Sequence, residues 1–273
     1  MPAPSDIPTI TTLAGFELGR RSCAYAERDV VLFALAVGAR PDELRWVYER
    51  DLRVMPTFAT TLGLWAVRAA GAVGVYDPVH TLHVGQSLSV RGALPPAAEL
   101  ELDARVGAVL DKGSAALIDV LVCCEYFDAT YTIFVPGAGG FGGDRGNRPP
   151  RPPLDEQPDR TCRVQTWPGQ AALYRLTGDL HPVHIDPEIA AANGFPRPIL
   201  HGLCTLAAVT KAVAEATESD LATLSELSGR LTRPILPGDA IDVGIWNVPG
   251  GHAFVARTGE GAVLEGAATF HQT

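Results

Sequence analysis

One plan occurs twice along this chain, an apolar helical stretch followed by a series of strand-like segments. In the first half PTFATTLGLWAVRAAG, residues 56–71, precedes runs at 99–110, 115–124 and 129–135. In the second, PILHGLCTLAAVTKAVAEA, residues 198–216, precedes runs near 226–235, 239–248, 252–258 and 262–271. Residues 99–110 alternate, with Leu100, Leu102, Ala104, Val106, Ala108 and Leu110 on one face, which is the period of a half-buried strand. The stretch from 136 to 160 is rich in glycine and proline, interrupts all regularity and reads as a linker. The division expected is therefore residues 1–135, a linker at 136–160, and 161–273, with an internal duplication of an α+β unit. In each unit an antiparallel sheet wraps around a central helix.

The halves differ in their chemistry. YRLTGDLHPVHIDP, residues 174–187, places Asp179 five residues before His184 in a segment broken by Gly178, Pro182 and Pro187. Those breakers exclude a continuous helix or strand, so both side chains lie on a loop set by turns. An ionised carboxylate and a neutral imidazole facing one water can orient it, take a proton from it and return a proton elsewhere. The helix that follows begins near His201 or Gly202. Free N–H groups at such a start can polarise a carbonyl oxygen, and glycine lets a substrate approach. Nothing in residues 40–56 matches this loop, so only the second half carries these residue types.

Blander readings of the same residues are turn and cap roles for Asp179 and His184. Zinc ligation by Asp179, His181, His184 and His201 is another, without an HExxH or paired CxxC spacing to support it. Cys204, among apolar neighbours, reads as packing and not as a nucleophile. The small residues Ala66, Ala69, Ala70, Gly71 and Gly74 either leave room for a bulky group or permit tight helix–sheet packing.

Composition narrows the partners. A net charge of −9 over 273 residues argues against nucleic acid and anionic membrane surfaces. It leaves room for a phosphorylated ligand on a local basic patch, for which Lys112, Arg197, Lys211, Arg230 and Arg233 are available. No run of 18 apolar residues occurs, so no membrane span is expected. The start MPAPSDIPTITT does not read as a secretory signal, nor FHQT as a peroxisomal address. Five cysteines without a CxxC fit reduced thiols in a cytoplasmic protein, and abundant Ala, Arg, Gly and Pro fit a high-GC bacterial source.

The string YRLTGDLHPVHIDP followed by GFPRPILHGLCT resembles the signature of the MaoC-like (R)-specific enoyl-CoA hydratases, the hydratase-2 group. The resemblance extends to ERDVVLFALAVGA (27–39), DLRVMPTFA (51–59), VLDKG (109–113), FVPGAGGFGG (134–143) and RPILPGD (233–239), nearly the whole chain. It implies a double hot-dog fold and reversible hydration of a trans-2-enoyl-CoA to the (3R)-3-hydroxyacyl-CoA. The implied catalytic set is Asp179, His184, His181 and the Gly202 N–H. Substrate contacts are implied for His83, Lys112, Leu180, Pro182, Val183, Arg197, Leu231 and Arg233. No metal or redox cofactor is implied, and a homodimer is. The family usually has asparagine where this chain has His181, a bulkier and titratable group, which leaves a shifted substrate fit or pH dependence open. A thioesterase on the same fold, a non-catalytic acyl-CoA or lipid binder, and a dehydratase of a fatty-acid, polyketide or steroid side-chain pathway share these residues.

Overall fold

Short runs of Val, Leu, Ile and Ala between glycine, proline and acidic turns give ten strands among the residues that the computed structural model describes, 8–146 and 156–271. They are β1 (Glu17–Tyr25), β2 (Leu82–Val90), β3 (Ala98–Asp111), β4 (Ala115–Cys123), β5 (Phe127–Pro136), β6 (Arg160–Gln165), β7 (Leu224–Leu231), β8 (Ala240–Val248), β9 (Gly251–Thr258) and β10 (Gly261–Phe270). All pair antiparallel in a single sheet, ordered β1-β3-β4-β5-β2-β7-β10-β9-β8-β6. The two halves thus share one strand order and meet edge to edge where β2 pairs with β7, with Ser87 opposite Ser228. The two sheets expected from the duplication are continuous with each other. The arrangement is the double hot-dog, in which closing β2 against β7 removes one exposed edge from each half.

Among the described residues seven α-helices accompany the sheet: α1 (Glu27–Ala36), α2 (Leu44–Val47), α3 (Ala59–Leu62), α4 (Leu64–Ala72), α5 (Gln170–Tyr174), α6 (Pro187–Ala192) and α7 (Gly202–Ala216). Helix α7 is the central helix of the second half. Its body from Leu203 to Lys211 is buried without a break, as its Leu, Ala and Val content requires. Its first-half counterpart departs from the sequence reading, because the expected helix at 56–71 is interrupted at Gly63. Tyr131 of β5, fully buried, reaches across and donates its hydroxyl to the Thr60 carbonyl at 2.7 Å. A Cβ at Gly63 would lie 2.4 Å from that hydroxyl. A side chain inserted beside the helix ladder is a recognised cause of a break.

The alternation expected along 99–110 also changes partway. Leu100, Leu102, Ala104 and Val106 are buried, but the register with β4 shifts between Val106 and Val109. A bulge reverses strand parity, so Ala108 is exposed and Asp111 faces inward. The buried carboxylate of Asp111 accepts N–H groups of Gly140 at 2.9 Å, Gly113 at 2.8 Å and Gly142 at 2.7 Å. These bonds, led by that of Gly140, pull its pKa down to about 2. They also hold the glycine-rich residues after β5 against the first half, where a Cβ at Gly139 would meet the Ala115 nitrogen at 2.5 Å. Residue 136 closes β5 and residue 160 opens β6, while 147–155 of the expected linker lie outside the described residues.

Strands β1, β2 and β6 escaped the periodicity reading. β1 and β6 are sheet edges with mostly exposed side chains, and β2 buries the polar Gln86 beside Leu88. Contacts between halves place the second-half loop. Tyr174 at the end of α5 packs against Phe33 of α1 at 6.0 Å, Phe33 against Phe58 at 5.4 Å, and Phe58 against Tyr25 at 5.1 Å. Buried Lys211 of α7 pairs with Glu43 at 3.0 Å, which ties the central helix to the segment before α2.

Candidate active site

Helix α5 runs into a 3-10 turn over Arg175–Thr177 that Gly178 ends at φ 128°, a left-handed conformation suited to glycine. Asp179 and His181 then build the loop from their own side chains. The Asp179 Oδ1 accepts the His181 N–H at 3.2 Å, and His181 Nδ1 accepts the Val183 N–H at 3.3 Å. Pro182 opens a second 3-10 turn, Pro182–His184, at the position where a missing N–H costs nothing. Asp186 caps α6 by accepting the N–H of Glu188 at 2.8 Å.

The loop brings the reactive groups together. One donor atom each of Asp179, His184 and His201 lie within 4.8 Å of one another. His184 Nδ1 sits 2.9 Å from the Ile199 carbonyl, which can only accept, so Nδ1 carries the hydrogen and Nε2 is left bare as a proton acceptor. Burial lowers the pKa of His184, opposed by the charge of Asp179 and the bond to Ile199. The imidazole is therefore neutral where a base is needed. His201, buried at the start of α7, stacks on His184 with ring centres 3.6 Å apart and planes 23° apart. Burial, with His184 second, drives its pKa down to about 3.

Gly202 opens α7 behind an extended His201, so its amide belongs to the first turn, whose N–H groups have no partner within the helix. Leu231 fills the space where a Cβ would stand, with Cδ1 at 2.4 Å. From the first half, His83 of β2 is close enough to Asp179 for its charge to act on the ring. Burial is nonetheless the larger influence and lowers the pKa of His83. His83 Nε2 lies 2.8 Å from the Gly85 carbonyl. The site is thus built on both halves.

The other expected contacts are distributed as follows. Leu180 and Pro182 are exposed on the loop, Val183 is buried beneath it, and Leu231 covers Gly202. Arg197 donates to the Pro237 carbonyl at 2.8 Å, Arg233 to the Glu260 carbonyl at 2.8 Å, and Lys112 to the Arg145 carbonyl. Among the described residues none of these three cations bonds to Asp179 or His184. His181 keeps a loop-holding bond of the kind an asparagine oxygen can make, while its ring stands 6.2 Å from that of His184. The sequence reading missed the stacking role of His201; the histidine immediately before the helix-opening glycine was its only signal.

The donor set Asp179, His184 and His201 also bears on zinc. Imidazole lone pairs lie in the ring plane, so the two stacked rings hold theirs in planes only 23° apart. His184 Nδ1 and His201 Nε2 are moreover turned to carbonyl oxygens. His184 Nε2 and His201 Nδ1 are the ring nitrogens left for a proton or an ion.

A double hot-dog with an acid–imidazole pair beside the start of its central helix defines a MaoC-type architecture. Residues 23–134 match the family model of the MFE-2 hydratase 2 N-terminal domain, and residues 146–267 that of the MaoC like domain. The peroxisomal enoyl-CoA hydratase 2 of Arabidopsis thaliana is 35% identical over 86% of this chain and 85% of its own length. The 3-hydroxyacyl-thioester dehydratase Y of Mycobacterium tuberculosis is 35% identical over 93% of this chain and 90% of its own. A MaoC-like dehydratase crystal structure from Phytophthora capsici superposes with a TM-score of 0.85 at 27% identity, covering 95% of this chain and 96% of that one. The chain belongs to the hydratase 2 family of MaoC-like proteins.

Proposed function

We propose that the protein hydrates trans-2-enoyl-CoA thioesters reversibly to (3R)-3-hydroxyacyl-CoA. The observation that carries this reading is the convergence of the Asp179 carboxylate with His184, whose Nδ1 is committed to Ile199 and whose Nε2 is free to accept a proton. Asp179 orients a water by accepting one of its hydrogens, and His184 Nε2 removes the other as oxygen bonds to the β-carbon. The thioester oxygen takes up charge as the double bond opens, and the Gly202 N–H at the α7 start stabilises it. The proton returns to the α-carbon on the same face, which yields the neutral hydroxyacyl thioester. Hydroxide and proton are added and no electron leaves the substrate, so the scheme calls for no metal or redox cofactor. Elimination of water follows the same steps reversed.

In this scheme the first half contributes no acid or base of its own and shapes the acyl side of the site. Supporting that role are His83 beside Asp179 and the approach of Gly178 to the Thr61 carbonyl, 3.9 Å from its Cβ position. Lys112, Arg197 and Arg233 supply positive charge for the coenzyme A phosphates. The protein would act in the cytoplasm as a homodimer, which sedimentation tests. Among the described residues no helix is long and apolar enough to cross a membrane.

The test is an activity panel of short-chain, long-chain and steroid enoyl-CoAs, reading loss of the enoyl chromophore and the configuration of the product. Hydration to the 3R product supports the reading. Release of free thiol without hydration marks a thioesterase, and binding without turnover marks a carrier.

A further inference from the structure

We infer that His201 is a positioning residue for the proposed hydration, a single buried ring that fixes both reacting groups, holding His184 by stacking and Asp179 by its main chain. This inference rests on the acid–imidazole reading of the site. His201 is 1% exposed, so its ring cannot swing into solvent. One face lies on His184, with ring centres 3.6 Å apart, and Tyr174 packs against it at 4.8 Å. Its Nε2 is 3.2 Å from the main-chain carbonyl of Asp179. A carbonyl only accepts, so Nε2 carries the hydrogen and Nδ1 is bare. That Nδ1 is buried and has no hydrogen-bond partner among the described residues, which leaves the Asp179 carbonyl as the ring's polar anchor.

Asp179 and His184 sit five residues apart on a loop broken by Gly178 and Pro182, linked locally through His181, whose N–H donates to Asp179 Oδ1 at 3.2 Å and whose carbonyl accepts the His184 N–H at 3.3 Å, bonds that leave both side-chain tips to be fixed from elsewhere. His201 comes from a different element, the start of α7, whose Gly202 amide is the oxyanion donor in the proposed scheme. One side chain therefore references acid, base and helix start to each other. Catalytic geometry held by such packing is sensitive to shifts well below an ångström. The titratable and charged groups acting on His201 are His184, Asp179 and Arg175, and its depressed pKa keeps it a neutral donor while they change state.

Two variants separate its two contacts. His201→Phe keeps a flat buried ring but loses the bond to Asp179, whereas His201→Asn keeps an N–H donor but loses the stack. We expect kcat to fall by about tenfold to 100-fold in each with KM within about threefold, since positioning is lost and not ligand binding. NMR titration of the His184 ring should show its pKa unchanged in His201→Phe and raised toward the ordinary value in His201→Asn, where water reaches the uncovered face. A purely structural role would lower thermal stability alone, leaving kcat per folded molecule within about twofold and both titrations as in the wild type, and would overturn the inference. If the wild-type protein hydrates no enoyl-CoA, the functional reading fails, and the titrations still decide whether His201 holds His184.

Discussion

Replacing Asp179 by asparagine isolates charge from structure. The Oδ1 accepts one main-chain bond, from His181 at 3.2 Å, and an amide oxygen preserves it. The anchor to His201 uses the Asp179 main-chain carbonyl, which the substitution does not touch. Folding stability should accordingly change by no more than about 1 kcal/mol. The chemistry loses its anionic acceptor. One general acid–base group contributes roughly 10²–10⁴ in rate, or about 2.7–5.5 kcal/mol of transition-state stabilisation. A second effect follows from the charge, because Asp179 raises the pKa of His184 against its burial. Without it the ring should titrate lower, and the acid limb of the rate profile should move to lower pH. Initial rates with a saturating short-chain enoyl-CoA across pH, beside thermal unfolding of the same preparation, measure both. A kcat within about tenfold of wild type with an unmoved acid limb would refute the carboxylate's role, and so would collapse of the fold in place of the chemistry.

His181→Asn keeps an oxygen acceptor for the Val183 N–H and removes the bulkier ring, so the loop should hold its fold while the substrate fit changes, read as a shifted KM; unaltered kinetics would show the departure to be neutral. Gly63→Ala should cost up to about 2 kcal/mol, an overpacking penalty against buried Tyr131 of about 1–3 kcal/mol less the roughly 1 kcal/mol of helix propensity gained; a gain in stability on urea unfolding would discount the tyrosine as the cause of the helix break. His201 takes up its proton near pH 3 in the fold and near the ordinary ~6.5 when unfolded. Its share of stability is therefore complete above about 6.5 and falls with decreasing pH by at most about 1.4 kcal/mol per unit. Unfolding midpoints across that window should decline less steeply in His201→Phe than in the wild type, and equal slopes would contradict the assignment.

Local features carried much of this protein in plain view. Gly178, Pro182 and Pro187 dictate turns wherever they occur, so the loop bearing Asp179 and His184 could be read residue by residue. A long apolar stretch opened by glycine makes α7 in any setting that buries it, and the 100–106 alternation makes a strand. The duplicated plan followed from such segments, because period and breakers are properties of neighbours. Other features depend on residues far apart in the chain. Tyr131 breaks a helix near residue 63, a bulge turns Asp111 inward, and polar β2 becomes the seam of the sheet by pairing with β7. His83 and His201 join the loop from separate elements, and the tautomer of His184 is set by a carbonyl fifteen residues away. Composition and spacing select which groups are available, but which nitrogen is bare and which ring lies against which follow from the packing of strands and helices that the chain brings together only on folding.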